Sequence, residues 1–130
     1  LRRYDTNRSG IERAQAERNA AEADIAVARL AREREIAQLT ARISSAATEA
    51  ERIRAEVIPP AIKSVEQVRE GFNRGGFSYL DVTEAERALA DARARRVSVL
   101  RQYHLDQAAL DRLTGRQAGL TQTQSAETRQ

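Results

Sequence analysis

The sequence predicts an all-α fold, a long antiparallel helical hairpin of coiled-coil type. Apolar residues recur at alternating spacings of three and four along two long stretches, which is the signature of a helical seam. The 130 residues are 32% charged and 4% aromatic, contain no Trp, Met or Cys, and are dominated by Ala, Arg, Glu and Leu, a composition of long helices rather than a globule. A single glycine-rich stretch, GFNRGGFSYLDV at 71–82, separates the two periodic stretches. Thin, Ala-rich helices pack side by side but enclose no thick core. The expected object is elongated, with seams that neighbours must cover.

Residues 1–8 read as an irregular, polar lead-in. Ser9-Gly10-Ile11-Glu12 has the form of a capping box, with Ser9 as the cap and Glu12 reaching back. Thr6 and Asn7 are alternative caps. A long descending helix follows over 9–76. Its first seam is Ile11, Ala14, Ala21, Ile25 and Ala28, with Arg18 in the remaining slot. Its second is Ile36, Leu39, Ile43, Ala46, Ala50, Ile53 and Val57. The step from Ile25 to Ile36 inserts a stutter that locally unwinds a left-handed supercoil. About 48 helical residues would extend roughly 70 Å. Pro59-Pro60 predicts a kink, because proline removes a backbone donor and crowds the preceding turn. The apolar spacing resumes at Ile62, Val65 and Val68.

The return helix is predicted over 77–115. Val82, Ala85, Leu89, Ala92, Val99, Tyr103, Leu110 and Leu113 form one seam, with Arg96 and Asp106 in its remaining slots. Leu100, Leu105 and Ala108 widen the apolar face, as neighbours on two sides would require. Gly115 is a natural helix terminator. The polar tail, 116–130, has little apolar content with which to fold alone.

The reversal carries the most specific chemistry. Gly71, Gly75 and Gly76 permit positive φ at a helix end. Ser78 is placed to cap the return helix, with Asp81 at the third helical position completing a capping box. Phe77 and Val82 stand at the two positions of a hydrophobic staple. Asp81 and Glu84 fall in or beside the first turn, where the helix dipole favours negative charge. A stable turn accounts for all of this. Arg74, Phe77 and Tyr79, however, are large side chains at the extremity of a thin hairpin, and an exposed apolar tip suits docking.

Several function classes are disfavoured. The net charge is +3 and the pI about 9.9, yet the bases are interleaved with acids. Arg8/Glu12, Arg13/Glu17, Arg18/Glu22, Arg29/Glu33, Arg52/Glu56 and Arg87/Asp91 are each four apart, a solvated face with no basic stripe for nucleic acid. His104 is the only His and there is no Cys, so no zinc-ligand set exists. No cofactor motif and no catalytic triad are present, and an enzyme is not expected. No run approaches the ~20 apolar residues of a membrane-spanning helix, and no signal peptide is visible.

The run from Gly71 to Gly115 resembles the closing segment of TolC-like outer-membrane efflux factors. The resemblance lies in the glycine-rich turn, Ser78-Tyr79-Leu80-Asp81-Val82, Glu84-Ala85, and Tyr103-His104 to Leu113-Thr114-Gly115. The opening YDTNRSGIERAQAE is similar to the point where a barrel strand of that family enters its long helix. The wording looks closest to the cobalt-zinc-cadmium, or heavy-metal, branch. The resemblance implies a homo-trimer with an outer-membrane β-barrel and a periplasmic α-barrel. It further implies hairpin tips that meet a periplasmic adaptor, and a proton-driven inner-membrane pump beyond it. The chain, which does not begin with Met, would be the second-repeat hairpin without its membrane strands.

Carried over position by position, the tip at Arg74, Gly75, Gly76, Phe77, Ser78, Tyr79, Leu80 and Asp81 would be the adaptor-docking surface. Asp81 and Glu84 match acidic positions facing the pore, where a carboxylate ring selects cations. Phe72 stands where some relatives carry Tyr, and Phe77 where some carry Arg. An apolar tip contact is therefore expected here in place of their polar latch. The expected function is export of a substrate, heavy-metal cations on this resemblance, with no bound cofactor or metal. Two rival readings are an adaptor's own hairpin, which lipoyl-like β segments would flank, and a plain coiled-coil scaffold.

Overall fold

A computed structural model describes the backbone of residues 2–127 and side chains from 6 to 115. The described residues form α1 (Arg2–Arg52), a π-helical turn (Ile53–Val57), α2 (Ile58–Asn73) and α3 (Tyr79–Glu127), with no strand among them. The all-α class is as the periodicity predicts. The chain divides into two units, residues 1–38 and 39–130.

In the first unit α1 runs without interruption from Arg2, so the lead-in expected to be irregular over 1–8 is helical from its second residue. Leu1 lies outside the described residues. Ser9 does not cap: it sits inside the helix, and its hydroxyl donates to the Thr6 carbonyl at 3.0 Å, the back-bond available to a mid-helix serine. Glu12 likewise pairs with Arg8 rather than reaching back. Nothing in 2–10 compels a break, since an interior glycine such as Gly10 costs only about 1 kcal/mol. Three of the predicted four-apart ion pairs close here, Arg8–Glu12, Arg13–Glu17 and Arg18–Glu22, at 3.4–3.6 Å and well exposed. Ile11, Ile25, Val27 and Leu30 are exposed on this unit.

The second unit is the hairpin, in which residues 39–73 run antiparallel to α3. Its interior is narrow: Leu39, Ala50, Ile53, Val65 and Val82 are the buried apolar residues, and Asp106 is buried among them. The return seam is as predicted. Val82 and Asp106 are buried, and Ala85, Leu89, Ala92, Arg96, Val99, Tyr103, Leu110 and Leu113 are half-buried. Leu100 joins them, but Leu105 and Ala108 are exposed, so the face is narrower in this chain than expected.

The descending arm departs from prediction at one point. The interruption lies one turn before Pro59-Pro60, over Ile53–Val57, where the Ile58 N–H bonds to the Ile53 carbonyl five residues back. Proline has no N–H to give and crowds the preceding turn. The wider turn relieves that crowding and places both prolines at the start of α2, where missing donors cost least. The extra residue moves the seam on by one. Val57, expected in the seam, is 42% exposed, and Ile58 takes its place.

At the far end, α3 passes through Gly115 and continues as backbone helix to Glu127. Gly115 is therefore not a terminator, and the tail expected to be unstructured over 116–130 is helical to that point. No proline follows Gly115 to stop the helix, and a lone glycine does not suffice. Residues 128–130 lie outside the described residues.

Candidate functional site: the hairpin tip

The reversal is built from two reciprocal caps. At the end of α2 the Gly75 N–H donates to the Phe72 carbonyl at 2.9 Å, and the Gly76 N–H to the Gly71 carbonyl at 2.8 Å. With Asn73 as the last helical residue, these are the two bonds of a Schellman ending. That ending needs a left-handed residue, and Gly75 supplies it at φ 81°. Gly71 is required for a different reason. A Cβ there would lie 2.1 Å from the Phe77 ring, so the glycine leaves the space in which the ring rests.

At the start of α3 the Ser78 Oγ accepts from the Asp81 N–H at 3.2 Å. The Asp81 carboxylate in return accepts from the Ser78 N–H and hydroxyl, both at 2.7 Å. This is the capping box read from the sequence. The Ser78 hydroxyl and backbone N–H together hold the Asp81 carboxyl below its ordinary range. It is an anion at neutral pH, and its charge sits at the positive end of α3.

The large side chains stand around these caps. Phe77, Tyr79 and Leu80 are 48%, 74% and 64% exposed. Phe72 meets Tyr79 edge-on with ring centroids 6.3 Å apart. Arg74 is exposed and pairs with Glu70, while Arg69 and Glu86 join the two arms just behind the tip. The structure therefore brings Arg74 to Asp81 together on one small surface of apolar groups with a fixed anion. Glu84 is exposed one turn further along α3. Val82, the second staple position, is buried, whereas Phe77 lies over Gly71.

One cluster was not legible in the sequence. Asp106, in a seam slot, accepts from Arg42 Nη2 and Gln102 Nε2 at its Oδ1, both at 3.0 Å. Its Oδ2 is buried without a hydrogen bond. Arg42 is 64 residues away in sequence, so no local spacing announces the pair. His104 stands edge-on to Tyr103 with centroids 5.2 Å apart. Among the described residues no group of three His, Cys, Asp or Glu side chains is placed to hold a metal ion. No helix among them is long and apolar enough to cross a membrane.

The profile of a family described as outer membrane efflux protein matches residues 1–116. The chain belongs to the outer membrane efflux protein family. A curated relative agrees: the cobalt-zinc-cadmium resistance protein CzcC of Cupriavidus metallidurans is 28% identical over 113 residues, 87% of this chain. The chain spans 27% of that relative's length. No solved structure matches. Membership carries the all-α hairpin with it, and the heavy-metal resemblance read from the tip and the return helix is the one this relative bears.

Proposed function

We propose that this hairpin is the periplasmic part of a trimeric outer-membrane efflux channel, and that its tip docks a periplasmic adaptor. The observation that carries the reading is the tip itself. Two complete caps make the reversal rigid, and that rigidity displays Phe77, Tyr79 and Leu80 to solvent. A turn that served only to reverse the chain would gain nothing from three exposed apolar side chains, which suit a partner's apolar surface. Asp81 and Glu84 follow the tip along α3, and repeated around a trimer they would form carboxylate rings at the pore mouth. Such rings favour cations, which fits export of heavy-metal ions as the name of the relative suggests. The ions would pass without being held, and selectivity would reside in the proton-driven inner-membrane pump. Family members serve transport rather than catalysis, and no enzymatic role is proposed.

The test uses the full-length protein in a cell that depends on it for metal resistance. Tyr79→Ala with Leu80→Ala should abolish resistance while protein level and outer-membrane localisation stay unchanged. Asp81→Asn with Glu84→Gln should lower cation export selectively. Full resistance in the first variant would leave the tip as a turn and return the scaffold reading.

A further inference from the structure

The π-helical turn in the descending arm is held from both sides, and this suggests a role that does not depend on what the tip binds. Above it, Arg42 pairs with Asp106 and Glu49 with Arg95 across the arms. Below it, Arg69 pairs with Glu86. The seam on either side is intact, with Ala50 buried above and Val65 below. Between them the arm contains one residue more than the seam needs, and Val57 is the residue turned out.

Closing the turn into a regular α-helix would rotate residues 39–52 by about 100°. That rotation would bring Ser44, Glu51 and Arg54 toward α3 in place of Ile43, Ala50 and Ile53. The Glu51–Arg54 ion pair, now on the outer side of the turn, would then be desolvated. The seam therefore keeps the turn open from above. From below, Pro59 and Pro60 have no N–H to offer the carbonyls of Ala55 and Glu56, both on exposed residues. Two backbone bonds that a regular turn would make are therefore missing beside this segment, and few bonds mean low local stability.

We infer that residues 53–57 are a built-in joint, the point at which the descending arm bends while its two flanks stay paired to α3. Single π-turns inside long helices recur at functional positions. Here the surplus residue confines bending to one turn, instead of distributing it along the seam.

Hydrogen exchange on the full-length protein tests the inference, together with crosslinking of Glu49→Cys to Arg95→Cys by a short dithiol-reactive linker. The amides of residues 54–58 should exchange about tenfold or more faster than those of 46–52 and 64–70. Deleting Val57 should slow them toward the rate of the flanks and leave the crosslink yield unchanged. Slow exchange at 54–58 in the parent would overturn the joint. Loss of the crosslink on deletion would show that Val57 is not surplus to the seam. Fast exchange that persists after deletion would assign the weakness to the prolines alone and overturn the role given to the extra residue.

Discussion

Ser78 and Asp81 show how a local pattern becomes a geometry. The serine and the aspartate three residues on make the predicted reciprocal bonds, because a capping box depends only on residues within one helical turn. Ser9 and Glu12 have the same pattern and make no cap, since the helix has already begun. A capping pattern therefore identifies a helix start only where something upstream ends the chain's previous element, and the Schellman glycines do that for Ser78. Two predictions belong at this scale. Ser78→Ala should cost about 1 kcal/mol of hairpin stability, and Gly75→Ala about 1–2 kcal/mol through its left-handed backbone, both read by thermal melts. Because the Asp81 carboxyl is lowered in the fold, its contribution is complete above the ordinary aspartate value of about 3.9. It is lost as the pH falls through the lowered folded value. The melting temperatures of the parent and Asp81→Asn should differ constantly from neutral pH down to about pH 5 and converge in stronger acid.

Among the elements, the seam of α3 was legible slot by slot. A 3.6-residue helix leaves an apolar trace at three/four spacing, and every predicted seam slot of α3 from Val82 to Leu113 is at least half-buried. In the descending arm the trace holds from Ile36 to Ile53 and fails at Val57. A single π-turn has no period of its own, and one added residue looks identical to a residue in phase. Pro59-Pro60 marked the place but not the remedy. The Arg42–Asp106 pair was hidden for another reason, its separation along the chain. The register shift yields a direct comparison. Ile53→Ala, at 2% exposure, should destabilise by about 2–5 kcal/mol. Val57→Ala should change stability by less than about 0.5 kcal/mol. Equal effects in urea unfolding would put Val57 back in the seam.

For the whole molecule, the proposed trimer accounts for apolar side chains that the two units leave exposed. Ile11, Ile25, Val27 and Leu30 stand in solvent on the first unit, and the account assigns their cover to neighbouring hairpins of a trimer. If the proposed trimer forms as inferred, Ile25→Glu with Val27→Glu in the full-length protein should reduce its fraction in sedimentation without lowering helicity. An unchanged assembly would show that these side chains are not at a subunit contact. Composition and periodicity predicted helices and uncovered seams at this scale, but no spacing in a single chain states what covers them. The proposed answer rests on the resemblance of the tip and the return helix.

The account turns on the tip as a docking surface, and crosslinking in intact cells tests it most directly. Cysteines at Tyr79 and Leu80 are the right probes, because both side chains are exposed and neither makes the cap. Arg29→Cys on α1 is the control. The account predicts a covalent adduct with the periplasmic adaptor from Tyr79→Cys and Leu80→Cys and none from Arg29→Cys. A folded, correctly localised protein that gave no adduct from either tip position would contradict it.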